Sequence, residues 1–198
     1  MQAPRSTEEP TAVRPGRFRA AWRAAHDPVP GVSRRLQRVA WAVPFTVLPA
    51  GIWRLPAAFD EGIGLGERLY VVFLSVLSEV LAFTAIGLIA RWGEVFPHWV
   101  PFLRGRQVPT AAAVVPAAIG AAFLILVFTL LFTVSEIRGT TIQGVQLPAD
   151  HPSLATGWAL AWYRLCYAPL PLWGPLLAVL TVAYYKRRRT AAIAPAPA

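Results

Sequence analysis

Two ionisable side chains stand alone inside long apolar stretches: Glu79 near the middle of one and Arg164 within another. A charge held in hydrocarbon is costly, so such residues mark proton or ion pathways, ligand contacts or buried pairs. Glu79 has the chemistry of a coupling carboxylate. The two can also satisfy each other. Both host helices are expected to start on the same side of a membrane, and helical side chains lean toward the N-terminus. Glu79 lies about eleven residues from that end and Arg164 about seven, a height difference of about 6 Å at 1.5 Å per residue. An arginine can reach across that gap, so an intramembrane pair Glu79–Arg164 is expected. A lock between two helices is weighed above a ligand or proton site.

Other chemistry finds little support. The three histidines, His26, His98 and His151, lie in polar segments, and no Cys/His cluster has zinc spacing. Glu94 and His98 are four apart, but Pro97 intervenes, and Asp150-His151 reads as a solvated loop pair. Gly62-Ile63-Gly64-Leu65-Gly66 lacks the strand–turn–helix setting of a phosphate-binding loop. The single cysteine, Cys166, falls in an apolar stretch and reads as a small filler, leaving no internal disulfide. No catalytic residues, metal ligands or cofactor are assigned.

The elements that carry Glu79 and Arg164 are long. Apolar stretches run over about 39–59, 69–90, 109–135 and 157–185, in a chain that is 56% hydrophobic and 15% charged. Val108–Ser135 holds no ionisable side chain. As a helix it would span about 40 Å, more than the roughly 30 Å hydrocarbon core. The expected fold is all-α: a polytopic membrane protein, a four-transmembrane-helix bundle with a Pro-kinked fourth helix. Its membrane domain is 39–185, between a basic tail at 1–38 and a basic, Ala-Pro tail at 186–198. A secretory signal peptide is disfavoured, because the first apolar stretch follows a long polar tail and no clear A-x-A site follows it.

Charge sets the orientation. The tail 1–38 holds eight arginines, and Lys186, Arg187, Arg188 and Arg189 follow the last stretch. Between them, Arg54 and Arg68 face Asp60, Glu61 and Glu67; Arg91, Arg104 and Arg106 face Glu94; Arg138 faces Glu136 and Asp150. Segments rich and poor in positive charge alternate, which places both termini in the cytoplasm and the chain in the cell membrane. The net charge of +9 is read as orientation and headgroup contact rather than nucleic-acid binding.

Within the stretches, Ser75, Ser78, Glu79 and Ala82 follow helical spacing and form a small, polar face that must point into the bundle. Ala113, Ala117 and Ala121, with Gly120 beside them, would let a neighbouring helix approach closely. Pro169, Pro171 and Pro175 each lack an N–H and should break the fourth helix near mid-membrane. The first stretch is the weakest: Pro44, Pro49 and Pro56 interrupt it, and a full crossing requires Arg54 to reach the headgroups. Before it, Gly16–Ala25 places Phe18 and Trp22 on one face with Arg17, Arg19 and Arg23 elsewhere, a short amphipathic helix suited to an anionic leaflet.

Two runs have a familiar cast. Trp92-Gly93-Glu94-Val95, Pro97, Trp99-Val100-Pro101, Gly105-Arg106 and Val108-Pro109 form the first. Leu165-Cys166-Tyr167-Ala168-Pro169 with Trp173-Gly174-Pro175-Leu176 forms the second. Together they resemble a group of actinobacterial four-span membrane proteins over about residues 39–189. The resemblance implies the topology and carries no assigned activity.

The chain is thus read as a non-catalytic integral membrane protein with a binding, accessory or scaffolding role. Its expected partners are the bilayer, anionic lipids at the cytoplasmic face, and a second copy or another membrane protein. The alternative is a small oligomeric transporter with Glu79 as coupling carboxylate. A lipid-modifying enzyme ranks third, because no polar residues converge at one membrane face.

Overall fold

Ser33 starts the first helix. Its side-chain oxygen accepts from the Leu36 backbone N–H at 3.3 Å, which satisfies one of the donors a helix start leaves open. The computed structural model describes residues 26–60, 62–95 and 105–193. Helix α1 spans Arg34–Arg54, so the arginine-rich approach to the first apolar stretch is itself helical. A 3-10 turn, Pro56–Phe59, follows. Helix α2 spans Leu65–Gly87. Helix α3 runs over Thr110–Arg138. Its first part, Thr110–Leu124, is α-helical; Ile125–Phe132 winds as a π-helix; Thr133–Arg138 returns to α. The remaining long segment divides into α4, Gly157–Tyr167, and α5, Trp173–Ile193, joined through a 3-10 turn at Leu170–Leu172. The described residues are all-helical apart from three isolated bridges.

Three of these segments, Leu65–Gly87, Thr110–Arg138 and Gly157–Ile193, are long and apolar enough to cross a membrane. Their outer faces carry large apolar side chains in the open. Phe73, Val76 and Val80 of α2, and Val115, Ile119, Phe123, Leu126 and Leu130 of α3, are all exposed. Exposed apolar surface repeated along whole helices is not the surface of a water-soluble monomer and marks a membrane or protein contact.

Helix α1 is the least apolar of the long helices and the most enclosed. Ala40, Val43, Val47 and Ala50 are fully buried and recur on one helical face. That face is made of small and β-branched residues, which lets α1 pack against α2, α4 and α5. Helix α3 packs mainly on α5. The core gathers α1's stripe with Ala82, Ala85 and Ile86 of α2 and Leu170, Trp173, Leu180 and Tyr184 of the last segment.

Close helix approach is sharpest at Gly174. A Cβ there would meet the Ile125 backbone nitrogen at 2.6 Å, at the junction where α3 turns from α to π winding. The stripe Ala113, Ala117, Gly120 and Ala121 lies along α3; Ala121 is buried, the other three are half-buried, and Gly120 faces Leu177 of α5. Phe128 stacks on Trp173, with ring centroids 5.9 Å apart.

The prolines after α4 free carbonyl groups. Pro175 has no N–H to offer the Pro171 carbonyl four residues back. The Thr129 hydroxyl donates to that carbonyl at 2.6 Å in its place. A side chain of α3 thus replaces a missing helical bond of the last segment, as irregular backbone inside a membrane requires.

Candidate functional site

The structure does not join Glu79 to Arg164. Among the described residues the one ion pair is Glu94–Arg187. The expected contact fails because α4 turns Tyr163 and Cys166 inward, which leaves Arg164, one step round from Tyr163, exposed. Helix α1 takes the place beside α4 that α2 was expected to hold. Glu79 is half-buried on the side of α2 that carries buried Ser75 and Ala82. The serines give it nothing: Ser75 Oγ donates to the Val71 carbonyl at 2.9 Å and Ser78 Oγ to the Leu74 carbonyl at 2.6 Å. Both charged groups therefore stand without a partner among the described residues.

The polar work of the bundle is done at its ends. At the near end, where α1 starts and α5 finishes, four stretches of chain tie together. Arg187 donates to Glu94 Oε1 at 2.7 Å and to the Leu88 carbonyl at 3.2 Å, and its guanidinium lies 5.4 Å from the Tyr184 ring centre. Tyr184 is fully buried, and its hydroxyl donates to the Gly93 carbonyl at 3.2 Å. Arg188 donates to the Val108 carbonyl at 2.9 Å. The Val29 N–H reaches the Ile89 carbonyl at 3.0 Å, which brings in the chain before α1. Gly93 sits so close to Gly87 that a Cβ would run into the Gly87 carbonyl oxygen. Nothing in the spacing of these residues along the chain brings them together. The available signal was Glu94, the lone carboxylate in the segment 91–107, beside a run of basic residues also assigned to the same side.

The near end also carries a cleft of about 630 Å³ whose lining includes His26, Asp27, Trp41, Val80, Phe83 and Trp92. A neighbouring cleft of about 550 Å³ is lined by Arg34, Gln37, Arg38 and Trp41.

The far end is closed by aromatic packing. Tyr163 and Tyr167 stack at 4.8 Å, Trp53 meets both edge-on, and Phe132 stacks on Tyr167. Tyr163 donates to Glu136 Oε1 at 2.8 Å. His151 is structural here: its Nδ1 accepts from the Ser153 N–H and its ring meets Tyr163 edge-on. Cys166 is buried and free. Among the described residues no group of three or more potential metal ligands comes together. His98 and the amphipathic segment Gly16–Ala25 lie outside the described residues.

No family model, no curated protein and no solved structure matches the chain. What it does is therefore argued from its own residues.

Proposed function

We propose that this chain is a four-span protein of the cell membrane, both termini cytoplasmic, serving as a non-catalytic accessory or scaffolding subunit of a membrane assembly. The observation that carries this is the pair of unpartnered intramembrane charges. A lone charge facing lipid is disfavoured by several kcal/mol, on the order of 3 by insertion scales. Glu79 and Arg164 find no counter-ion among the described residues, so a neighbouring protein that supplies one gains from docking there. A second copy does so with its own Arg164 and Glu79, which makes self-association the simplest case. Four crossings fit the near end, where the starts of α1 and α3 meet the ends of α2 and α5. Nine basic residues stand there against two carboxylates among the described residues, while three stand against four at the other end. That asymmetry supports a cytoplasmic near end. The resemblance to actinobacterial four-span proteins points the same way.

Single-molecule photobleaching of labelled protein in native-membrane vesicles tests the assembly. Oligomers are expected, and Glu79→Gln or Arg164→Gln should shift them to monomers. Monomers from the unaltered protein, or oligomers indifferent to both changes, would refute the reading. One observation favours the transporter alternative: among the described residues no cation stands beside Glu79. For a transporter, Glu79→Gln would abolish proton-coupled flux in proteoliposomes and leave the assembly intact.

A further inference from the structure

The two near-end clefts adjoin at Trp41, which lines both, and side by side they make a groove of two chemistries. Its mouth is basic. Arg34 and Arg38 are four apart on α1 and project from one face of the helix, with Gln37 between them. Neither makes an ion pair or a side-chain hydrogen bond among the described residues. Its floor is apolar. Trp41, Val80 and Phe83 are each about half exposed, so the slot opens sideways along the face of α2 that would meet lipid. Trp92, on the wall, holds a buried indole N–H with no acceptor among the described residues. Each cleft falls in the size range of small-molecule sites.

We propose that this groove holds an anionic glycerophospholipid. The phosphodiester sits between the Arg34 and Arg38 guanidiniums, and one acyl chain lies along Trp41, Val80 and Phe83 between α1 and α2. Charge and shape select this occupant together. A free phosphate would use the mouth and leave the apolar slot empty. A zwitterionic lipid would use the slot and gain little from the mouth. The preceding residues 16–25 carry three arginines and no carboxylate, the same sign as the mouth. Arginine is suited to the contact because its planar fork meets two phosphate oxygens at once. Asp27 lines only the apolar cleft and is exposed, so it does not neutralise the arginines from within the mouth.

The test uses the full-length protein in nanodiscs of equimolar phosphatidylglycerol and phosphatidylcholine, extracted into mild detergent. Native mass spectrometry then counts retained lipids. Phosphatidylglycerol should be retained in preference to phosphatidylcholine. Each arginine beside an anionic headgroup is worth about fivefold in affinity, so Arg34→Gln with Arg38→Gln should cut the preference by roughly thirtyfold. Val80→Trp fills the slot and leaves the mouth intact; it should expel the lipid as well. Equal retention of the two lipids would overturn the proposal, and so would an undiminished preference in the double arginine variant. Full displacement of the lipid by soluble glycerol phosphate would also overturn it, by showing an anion site that makes no use of the slot. Retention does not involve Glu79 or Arg164, so it fails or succeeds independently of the assembly, although both rest on the membrane placement.

Discussion

Glu94→Gln should loosen the near end by about 2 kcal/mol. Glu94 and Arg187 make their contact with side chains 17% and 18% exposed. A fully exposed pair contributes about 0.2–1 kcal/mol, and stripping one partner from a fully buried pair costs about 3–5 kcal/mol. At this exposure the pair lies between those limits. The Leu88 carbonyl still accepts from Arg187 after the change, which moderates the loss, while the buried Arg187 Nε, already without a partner, gains none. A loss of about 2 kcal/mol is roughly thirtyfold in the ratio of folded to unfolded protein. Reversible unfolding in mixed micelles measures it, with Arg187→Met and the double variant completing a cycle. The coupling should be about 1–2 kcal/mol, and moderate salt should alter it little because the pair is mostly shielded. Additivity of the two single changes within about 0.3–0.5 kcal/mol would show that the contact holds nothing together.

Thr129→Val should cost about 1 kcal/mol in the same unfolding assay, since it leaves the Pro171 carbonyl without its donor, and Thr129→Ser should recover most of it; equal effects from both would remove the hydroxyl from the account. Reporter fusions at Gly62, Arg104, Asp150 and the C-terminus should read outside, inside, outside, inside, and an external C-terminus would rule out an even number of crossings.

Much of the architecture is written in the composition of individual stretches. Val108–Ser135 announces a membrane-length helix because nothing ionisable interrupts it, and the structure gives Thr110–Arg138. Pro171 sits in the 3-10 turn Leu170–Leu172 between α4 and α5, whereas Pro175 lies inside α5, near its start. In the Ala113–Ala121 stripe, Gly120 faces Leu177 of α5. What periodicity does not carry is which helix lies beside which. Glu79 and Arg164 have compatible depths and opposite charge, but α1 lies against α4 and the inward face of α4 belongs to Tyr163 and Cys166. The low hydropathy of α1 hid its central place. Its buried stripe, Ala40, Val43, Val47 and Ala50, was present all along as small residues at helical spacing. The π-winding of Ile125–Phe132 has no local signature, since it accompanies a contact with Gly174 from far along the chain. Glu94 and Arg187 likewise sit 93 residues apart, and only the closed bundle brings them together.

The position of Tyr184, Arg187 and Arg188 sets the order of biogenesis. A chain is made from its N-terminus, so the carbonyls of Leu88, Gly93 and Val108 leave the ribosome long before the side chains that cap them. Until the final helix is threaded, those groups stay hydrated and the loop that carries them has no latch. A product stalled before Tyr184 would hold most of its apolar helices and still lack its clasp. Closure of the near end therefore waits for the helix that carries Tyr184, Arg187 and Arg188, however well the earlier helices have already packed.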